Sequence, residues 1–420
     1  MTNHIKLIGA SKVFICNEAF DIISNGGVAF ECFEDKESKI IEVGDYQTLK
    51  KKYPNASFYD DSVILPAFIN THIHFEFGNN ISSFIYGSFE KWLESVMQKR
   101  DEVLNDIQSS VKSSIQEQLQ SGVATVGAIS SYGQDMPILA NSDLRVIYFS
   151  EVIGSIPVAL DFLYESFSSR YIASKGFKSH KFTPAIALHS PYSVHSILAK
   201  KVLEIAKKDN CLLSTHFLES AAEREWLEDQ KGWFKTFYKN TLKIPSPKPL
   251  YTIKEFLDLF EGMRVLFTHC LFATHKELLT ISKNGYVISC PRSNRLLNNT
   301  YIDLSMLKSA GLNPIFATDG KSSNDNLNML DELKCALFSY PNIQLEDLSK
   351  TLILGATKYA AKALNLKSGA LESDKFADIS IFECPQIAKS SQPSLQFLLQ
   401  CKKVKTLYIN GNAVIQNQIQ

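Results

Sequence analysis

Apolar and polar positions change rhythm twice along this chain. Residues 1 to 62 carry short apolar pieces between polar turns: Lys6 to Ile8, Lys12 to Ile15, Gly27 to Phe30 and Ile40 to Val43. Pieces of that length, bounded by turn residues, predict β-strands. The same rhythm returns after residue 368, in Asp378 to Phe382 and Thr406 to Val414. The middle is different. Eight short apolar runs, Val63–Asn70, Gly122–Ile129, Leu144–Ile153, Thr183–Leu188, Cys211–Thr215, Arg264–Thr268, Gly285–Ser289 and Asn313–Thr318, are spaced by longer amphipathic stretches such as Ser196 to Ala206. Eight strands alternating with helical patterns predict an α/β fold, a (β/α)8 TIM barrel. The two flanks predict a small composite β-sandwich domain made from both chain ends. The expected division is 1–62 and 368–420 for that domain and 63–367 for the barrel.

Polar residues fall where such a barrel does chemistry, at the C-terminal ends of its strands. His72 and His74 follow the first run, His189 the fourth, His216 and then Glu219 the fifth, His269 the sixth and Asp319 the eighth. Five of nine histidines therefore sit at expected strand ends, while His4, His180, His195 and His275 do not. Histidines at i and i+2 of an extended segment point the same way and can grip one ion. A catalytic zinc wants three or four imidazole and carboxylate ligands with a position left for water. His72, His74, His216 and Asp319 supply that set, and it suits zinc and iron(II) alike. Such an ion brings the pKa of a bound water near neutrality. Asp319 is then the expected proton acceptor as well as a ligand. Glu219 is the expected proton shuttle facing the substrate, and His269 orients the nucleophile and stabilises charge at the attacked carbon.

Each residue also has a plainer reading. His189 and His269 could be hydrogen-bonded structural histidines. Asp319 before Gly320 could start a turn, and Glu219 could sit in the first turn of a helix. His195 is expected on the solvent side of a helix start and is given no role. These readings leave the gathering at strand ends unexplained. No C-x-x-C is present, which excludes the zinc site of cytidine-type deaminases. No lysine ends the fourth run, so one metal ion is expected rather than two. The segment Glu228–Thr252 carries Trp233, Phe234, Phe237, Tyr238 and three prolines. It either covers the barrel mouth or forms a surface loop with its own hydrophobic cluster.

Composition narrows the partners. Lys+Arg and Asp+Glu both total 44, so nothing suggests a polyanion-binding surface, and nucleic acid is not expected. Zero net charge leaves homo-oligomerisation open. The eight cysteines are scattered, as in a reducing compartment. The N-terminus lacks a signal-peptide pattern and no apolar run is long enough to span a bilayer. A cytoplasmic protein without membrane contact is expected.

Several motifs together resemble the amidohydrolase superfamily, in its nucleobase and nucleoside deaminase branch. They are Pro66-Ala67-Phe68-Ile69-Asn70-Thr71-His72-Ile73-His74, His189-Ser190-Pro191-Tyr192, the H-x-x-E of His216 and Glu219, Thr268-His269-Cys270, Cys290-Pro291-Arg292-Ser293-Asn294 and Thr318-Asp319-Gly320. The tail, Ser368-Gly369-Ala370-Leu371 and Lys375-Phe376-Ala377-Asp378, is similar to the family's S-G-x-L-x-x-G-K-x-A-D. Ala67 and Ser373-Asp374 depart from its usual glycines. The resemblance implies a divalent metal, usually zinc, and hydrolytic loss of an amino group from a ring carbon. It implies that His189 contacts substrate and that Phe89 and Trp92 belong to a helical cap, with helix packing as their plainer role. Within the branch the sequence is most similar to aminofutalosine deaminases of the alternative menaquinone pathway, then to methylthioadenosine and S-adenosylhomocysteine deaminases. The implied reaction converts 6-amino-6-deoxyfutalosine and water to futalosine and ammonia. Guanine deamination, triazine hydrolysis and a catalytically silent scaffold barrel are the alternatives.

Overall fold

The computed structural model describes residues 5–33, 36–78 and 83–417; His4 lies outside them. Four strands come first: β1 (Ile5–Phe14), β2 (Ile22–Glu31), β3 (Ile40–Asp45) and β4 (Ala56–Pro66). The eight that follow are β5 (Phe68–Ile73), β6 (Val123–Ser130), β7 (Arg145–Val152), β8 (Phe182–Leu188), β9 (Leu213–Phe217), β10 (Val265–His269), β11 (Gly285–Ser289) and β12 (Ile315–Phe316). The last three are β13 (Ile379–Glu383), β14 (Thr406–Ile409) and β15 (Asn412–Gln416). Strands β5 to β12 form one parallel sheet in sequential order, with helices in the connections, as a (β/α)8 barrel requires. The remaining strands form one seven-stranded sheet, ordered β15-β14-β13-β4-β1-β2-β3, that joins both chain ends.

The run Val63–Asn70 is not one strand. Its first half ends β4 in the seven-stranded sheet and its second half begins β5 in the barrel. The switch falls at Pro66-Ala67, where Ala67 N donates to Asp378 O (3.0 Å) and Phe68 N already donates to Gly122 O (2.9 Å). Likewise Thr406 to Val414 is a hairpin, because Asn410 and Gly411 take φ of 52° and 75° at its turn.

The barrel closes between β5 and β12 through side chains as much as backbone. Asn70 donates to Thr318 Oγ1 (2.7 Å) and accepts from Thr318 N (3.2 Å), and Asp319 N donates to His72 O (3.1 Å). Buried Asn70 thus replaces ladder bonds that the two-residue β12 cannot supply. Inside the barrel, side chains alternate in and out with period two. The lower interior is packed with Ile69, Ile147, Phe149, Ala185, Ala187, Leu266, Ile315 and Ala317. Two residues further along the same phase the interior turns polar: Ile147-Phe149-Glu151, Ala185-Ala187-His189 and Ile315-Ala317-Asp319. An apolar plug therefore forms the floor of a polar cup. Among the described residues no helix is long and apolar enough to cross a membrane.

Candidate active site

The cup gathers side chains that lie far apart in the chain. Ring nitrogens of His72, His74 and His216 all lie within 4.8 Å of one another. His74 Nε2 and His216 Nε2 are 3.4 Å apart, and Asp319 Oδ1 is 3.7 Å from His72 Nε2 and 3.6 Å from His74 Nε2. Tetrahedral zinc with Zn–N bonds of about 2.0–2.1 Å spaces its ligands by about 3.3 Å. The observed spacings fit such an ion. So does the tautomer pattern: His216 Nδ1 donates to His189 O (3.0 Å), and His72 Nδ1 meets Thr268 Oγ1 (3.2 Å), so each turns Nε2 inward. Buried His72 Nε2 has no hydrogen-bond partner among the described residues. An orphaned imidazole nitrogen facing two others and a carboxylate is what a divalent cation satisfies.

Electrostatics prepare the set. Burial, then the neighbouring His72, drives the His74 pKa down to about 3, and burial holds His216 well below its ordinary value. The imidazoles are neutral, as ligands must be. Burial alone would raise the Asp319 carboxyl, but the adjacent His72 and the surrounding imidazoles outweigh it and hold the group well below the usual carboxylate range. Asp319 is further fixed by Gly320 N on Oδ1 (2.8 Å) and by Ser293 Oγ and Ser323 Oγ on Oδ2 (2.8 Å each). Gly320 is required here, since a Cβ would stand 2.8 Å from the Cβ of His74.

Glu219 stands beside this set, 5% exposed, with Oε1 3.5 Å from His269 Nε2. Burial and then the charge of Asp319 push its pKa well above that of an ordinary glutamate. His269 Nδ1 is held by Asn294 Oδ1 (2.9 Å), which leaves its Nε2 facing Glu219 and Asp319 without a hydrogen bond. Backbone strain marks the same places. Leu218, His269, Cys270 and Asp319 are non-glycine residues with φ of 46°, 73°, 51° and 59°. Each such residue costs about 1–3 kcal/mol and persists where surroundings enforce it. At Leu218 the enforcing group is Glu223, whose buried carboxylate accepts from Leu218 N (3.1 Å) and Glu219 N (2.9 Å).

His189 lies just past β8, its Nδ1 2.7 Å from Ser193 Oγ. Trp92 reaches across the mouth and donates to Ser322 O (2.7 Å), tying the helix Phe89–Val103 to the loop after β12. Phe89 is 1% exposed among Trp92, Tyr192 and Phe234, so its ring is enclosed by other aromatics. The aromatic segment after β9 folds as a helix, Trp233–Asn240. Tyr238 OH donates to Tyr192 O, Phe234 packs against Tyr192 with ring centres 4.5 Å apart and the planes tilted by 35°, and Trp233 Nε1 donates to Glu94 (3.2 Å). This segment is anchored to both mouth-side neighbours and has its own cluster, so the two readings of it coexist. His195 caps the helix Ser196–Asp209. Sequence reasoning missed Glu151, Glu223 and Ser323, and it quoted Ser293 and Asn294 in a motif without giving them a role. The signal for Glu151 was present, an acid near the end of the mainly apolar run Leu144–Ile153.

A (β/α)8 barrel whose mouth converges three imidazoles and a carboxylate on one point defines a class of metal-binding hydrolases. The chain belongs to the amidohydrolase family, whose model matches residues 63–414. It is 43% identical over 416 residues to an adenosine deaminase of Helicobacter pylori, covering 98% of this chain and 100% of the relative. It is 41% identical over 395 residues to the aminodeoxyfutalosine deaminase of a Nitratiruptor species, covering 93% of this chain and 95% of that one. The crystal structure of Helicobacter pylori aminofutalosine deaminase in complex with methylthio-coformycin superposes with a TM-score of 0.92 at 42% identity, over 98% of this chain and 100% of that one.

Proposed function

We propose that this chain is a metal-dependent hydrolytic deaminase that removes the C6 amino group of an adenine nucleoside, with aminodeoxyfutalosine as its substrate and zinc as its ion. The observation that carries the reading is a buried Glu219, its pKa raised by burial and by Asp319, set beside four converging side chains. His72, His74, His216 and Asp319 would hold the ion, which when bound supplies Lewis acidity and an activated water. Glu219, whose pKa is raised by burial and by Asp319, delivers a proton to purine N1 and so makes C6 electrophilic. Asp319, held ionised, takes one proton of the attacking water and passes it to the departing amine, and the proton left on the C6 oxygen returns to Glu219, which leaves the 6-oxo nucleoside and ammonia. His269, fixed through Asn294, turns an acceptor nitrogen toward the attacking oxygen. His189 and Trp92 contact the nucleoside, and Phe89 packs behind Trp92.

Relatives above 40% identity favour a nucleoside substrate, and both bear names of nucleoside deaminases. The triazine hydrolase and guanine deaminase structures, at 16% and 15% identity, share the fold and carry no argument about substrate. The test is ammonia release from aminodeoxyfutalosine, adenosine, methylthioadenosine and guanine, with metal analysis of the same preparation. The expected order places aminodeoxyfutalosine first. Turnover of free guanine alone defeats the nucleoside reading.

A further inference from the structure

Glu151 is a buried acid that the chemistry above does not use. It sits near the end of β7, 1% exposed, on the phase that carries Ile147 and Phe149 into the barrel interior. In register it faces Ala187, and His189 N donates to Val152 O (3.1 Å), so Glu151 and His189 lie side by side on neighbouring strands. A carboxylate oxygen of Glu151 and ring nitrogens of His189 and His216 all lie within 4.8 Å of one another.

Its partners account for half of it. Ser131 Oγ donates to Oε2. Arg170 donates to the backbone oxygens of Glu151 (2.8 Å) and Ser130 (3.2 Å), which clamps the strand end without engaging the carboxylate. Oε1 has no hydrogen-bond partner among the described residues. A carboxylate oxygen left unpaired in a buried site is costly, so a ligand atom is expected to meet it.

A second cation does not fit. His216 Nδ1 is engaged by His189 O, and its Nε2 belongs to the set with His74. His189 Nδ1 is engaged by Ser193. That leaves two free donor atoms where a bound divalent ion needs three or four protein ligands. A polar atom of the substrate remains. The strand order β7-β8-β9-β10 places Glu151 and His189 on one flank of His216, and Glu219 with His269 on the other. If Glu219 meets N1, the opposite flank receives the five-membered ring and the sugar. The purine ring offers acceptors there, N7 and N3, and an unpaired carboxylate oxygen needs a donor. Sugar hydroxyls are the donors available.

We propose that Glu151 is a substrate-contacting residue whose free oxygen accepts a hydrogen bond from a sugar hydroxyl of the bound nucleoside. The inference rests on the deaminase reading above. Such a site rejects an analogue lacking the hydroxyl, because its own buried acceptor is then stranded.

The test compares metal-loaded wild type, Glu151→Gln and Glu151→Ala on a 6-aminopurine ribonucleoside, its 2′-deoxy and 3′-deoxy forms, and its 7-deaza form. Wild type is expected to lose about 10- to 100-fold in kcat/KM on one deoxy form, a modest share of the discrimination such sites reach. In Glu151→Ala that penalty is expected to vanish, while Glu151→Gln, which keeps an oxygen and the side-chain volume, retains part of it. Deoxy penalties that survive unchanged in Glu151→Ala overturn the proposal. So does selective disappearance of the 7-deaza penalty, which places the contact on the ring, or loss of metal from both variants, which assigns Glu151 to the ion. Thermal-shift titration with the 6-oxo product nucleoside and its deoxy forms reads the same contact without turnover. A hydroxyl-dependent shift that Glu151→Ala abolishes, in a protein that deaminates nothing, ends the deaminase reading and leaves the Glu151 contact standing.

Discussion

In the seven-stranded sheet, Asp378 accepts from Asn410 N (2.8 Å) and from Arg145 Nε (3.3 Å), and Asn410 in turn accepts from Ser38 N and donates to Lys36 O (2.8 Å each). Both ends of both side chains are engaged by protein. At the barrel mouth, Thr71 Oγ1, His72 Nε2, Glu151 Oε1 and His269 Nε2 are as deeply buried and have no hydrogen bond among the described residues. The backbone differs less. Left-handed residues in the sheet and its connections are mostly small and polar, Asn25, Asp61, Asp374 and Asn410 among them, with Cys16 and Phe20 as exceptions, whereas the mouth holds Leu218, His269, Cys270 and Asp319 in that region. The sheet region also leaves single buried atoms unpaired, Arg145 Nη2 and Tyr408 Oη, but only the mouth gathers several around one point, and that point is built for something else.

The sharpest way to break this contrast is to remove a ligand. His216→Ala should abolish metal binding and cut kcat/KM by roughly a thousandfold or more, since an outer hydrogen-bond partner alone is typically worth 10- to 100-fold. Metal analysis beside the assay checks it, and wild-type activity in a metal-free variant would sink the site. Chelation of wild type should lower Tm as well, because an ion bound only to the native state stabilises it by mass action.

Next comes Glu219→Gln, expected to cost about 10²–10⁴ in kcat/KM, the range for a general acid or base, with metal content unchanged. Its pH signature follows from the direction of the shift. Glu219 works as an acid and its pKa is raised by burial and by Asp319. The working form is therefore present below that raised pKa, and kcat/KM should fall as pH rises through it. A profile flat through that limb would remove Glu219 from the proton path.

Asn294→Ala should have a smaller effect, about 10- to 100-fold, as expected for an outer partner that orients a working imidazole. It frees His269 Nδ1 without touching a metal ligand. Asn294→Asp, which keeps an acceptor oxygen, should restore much of the loss if orientation is the role.

The same contrast explains what the sequence disclosed. Residues proposed to ligate an ion or to face the attacking water must project from strand ends, so His72, His74, His216, His269 and Asp319 stood out by position as well as type. Residues that orient them carry no such constraint. Asn294 and Ser293 sit on the helix Pro291–Asn298, and Ser323 in a loop, so only tertiary distance links them to His269 and Asp319. Val63–Asn70 looked like one strand because alternation reports the pleat and not the partner, and the chain changes sheets at Pro66-Ala67 without changing its period. Thr406–Val414 hid a hairpin although Asn410-Gly411, a strong turn pair, stood in its middle.

The smallest expected effect on activity is the most informative about the contrast, and it lies where the sheet meets the barrel. Phe382 of β13, Phe397 of the helix Pro393–Gln400 and Phe68 of β5 form one buried seam, with ring centres 5.2 Å apart for Phe382–Phe397 and 5.9 Å for Phe68–Phe382. Phe382 also fills the space beside Gly122, where a Cβ would fall 2.5 Å from its ring. Phe382→Ala leaves a cavity at this seam and should cost about 3–5 kcal/mol of stability. It lies on the floor side of the barrel, at the start of β5 and β6, away from the strand ends that hold the ligands. Since distant sites act independently, kcat/KM per folded molecule should stay within about twofold of wild type. Denaturant unfolding and a temperature-controlled assay measure the two quantities separately. A large fall in kcat/KM with metal still bound would mean that the seven-stranded sheet helps hold the mouth in shape.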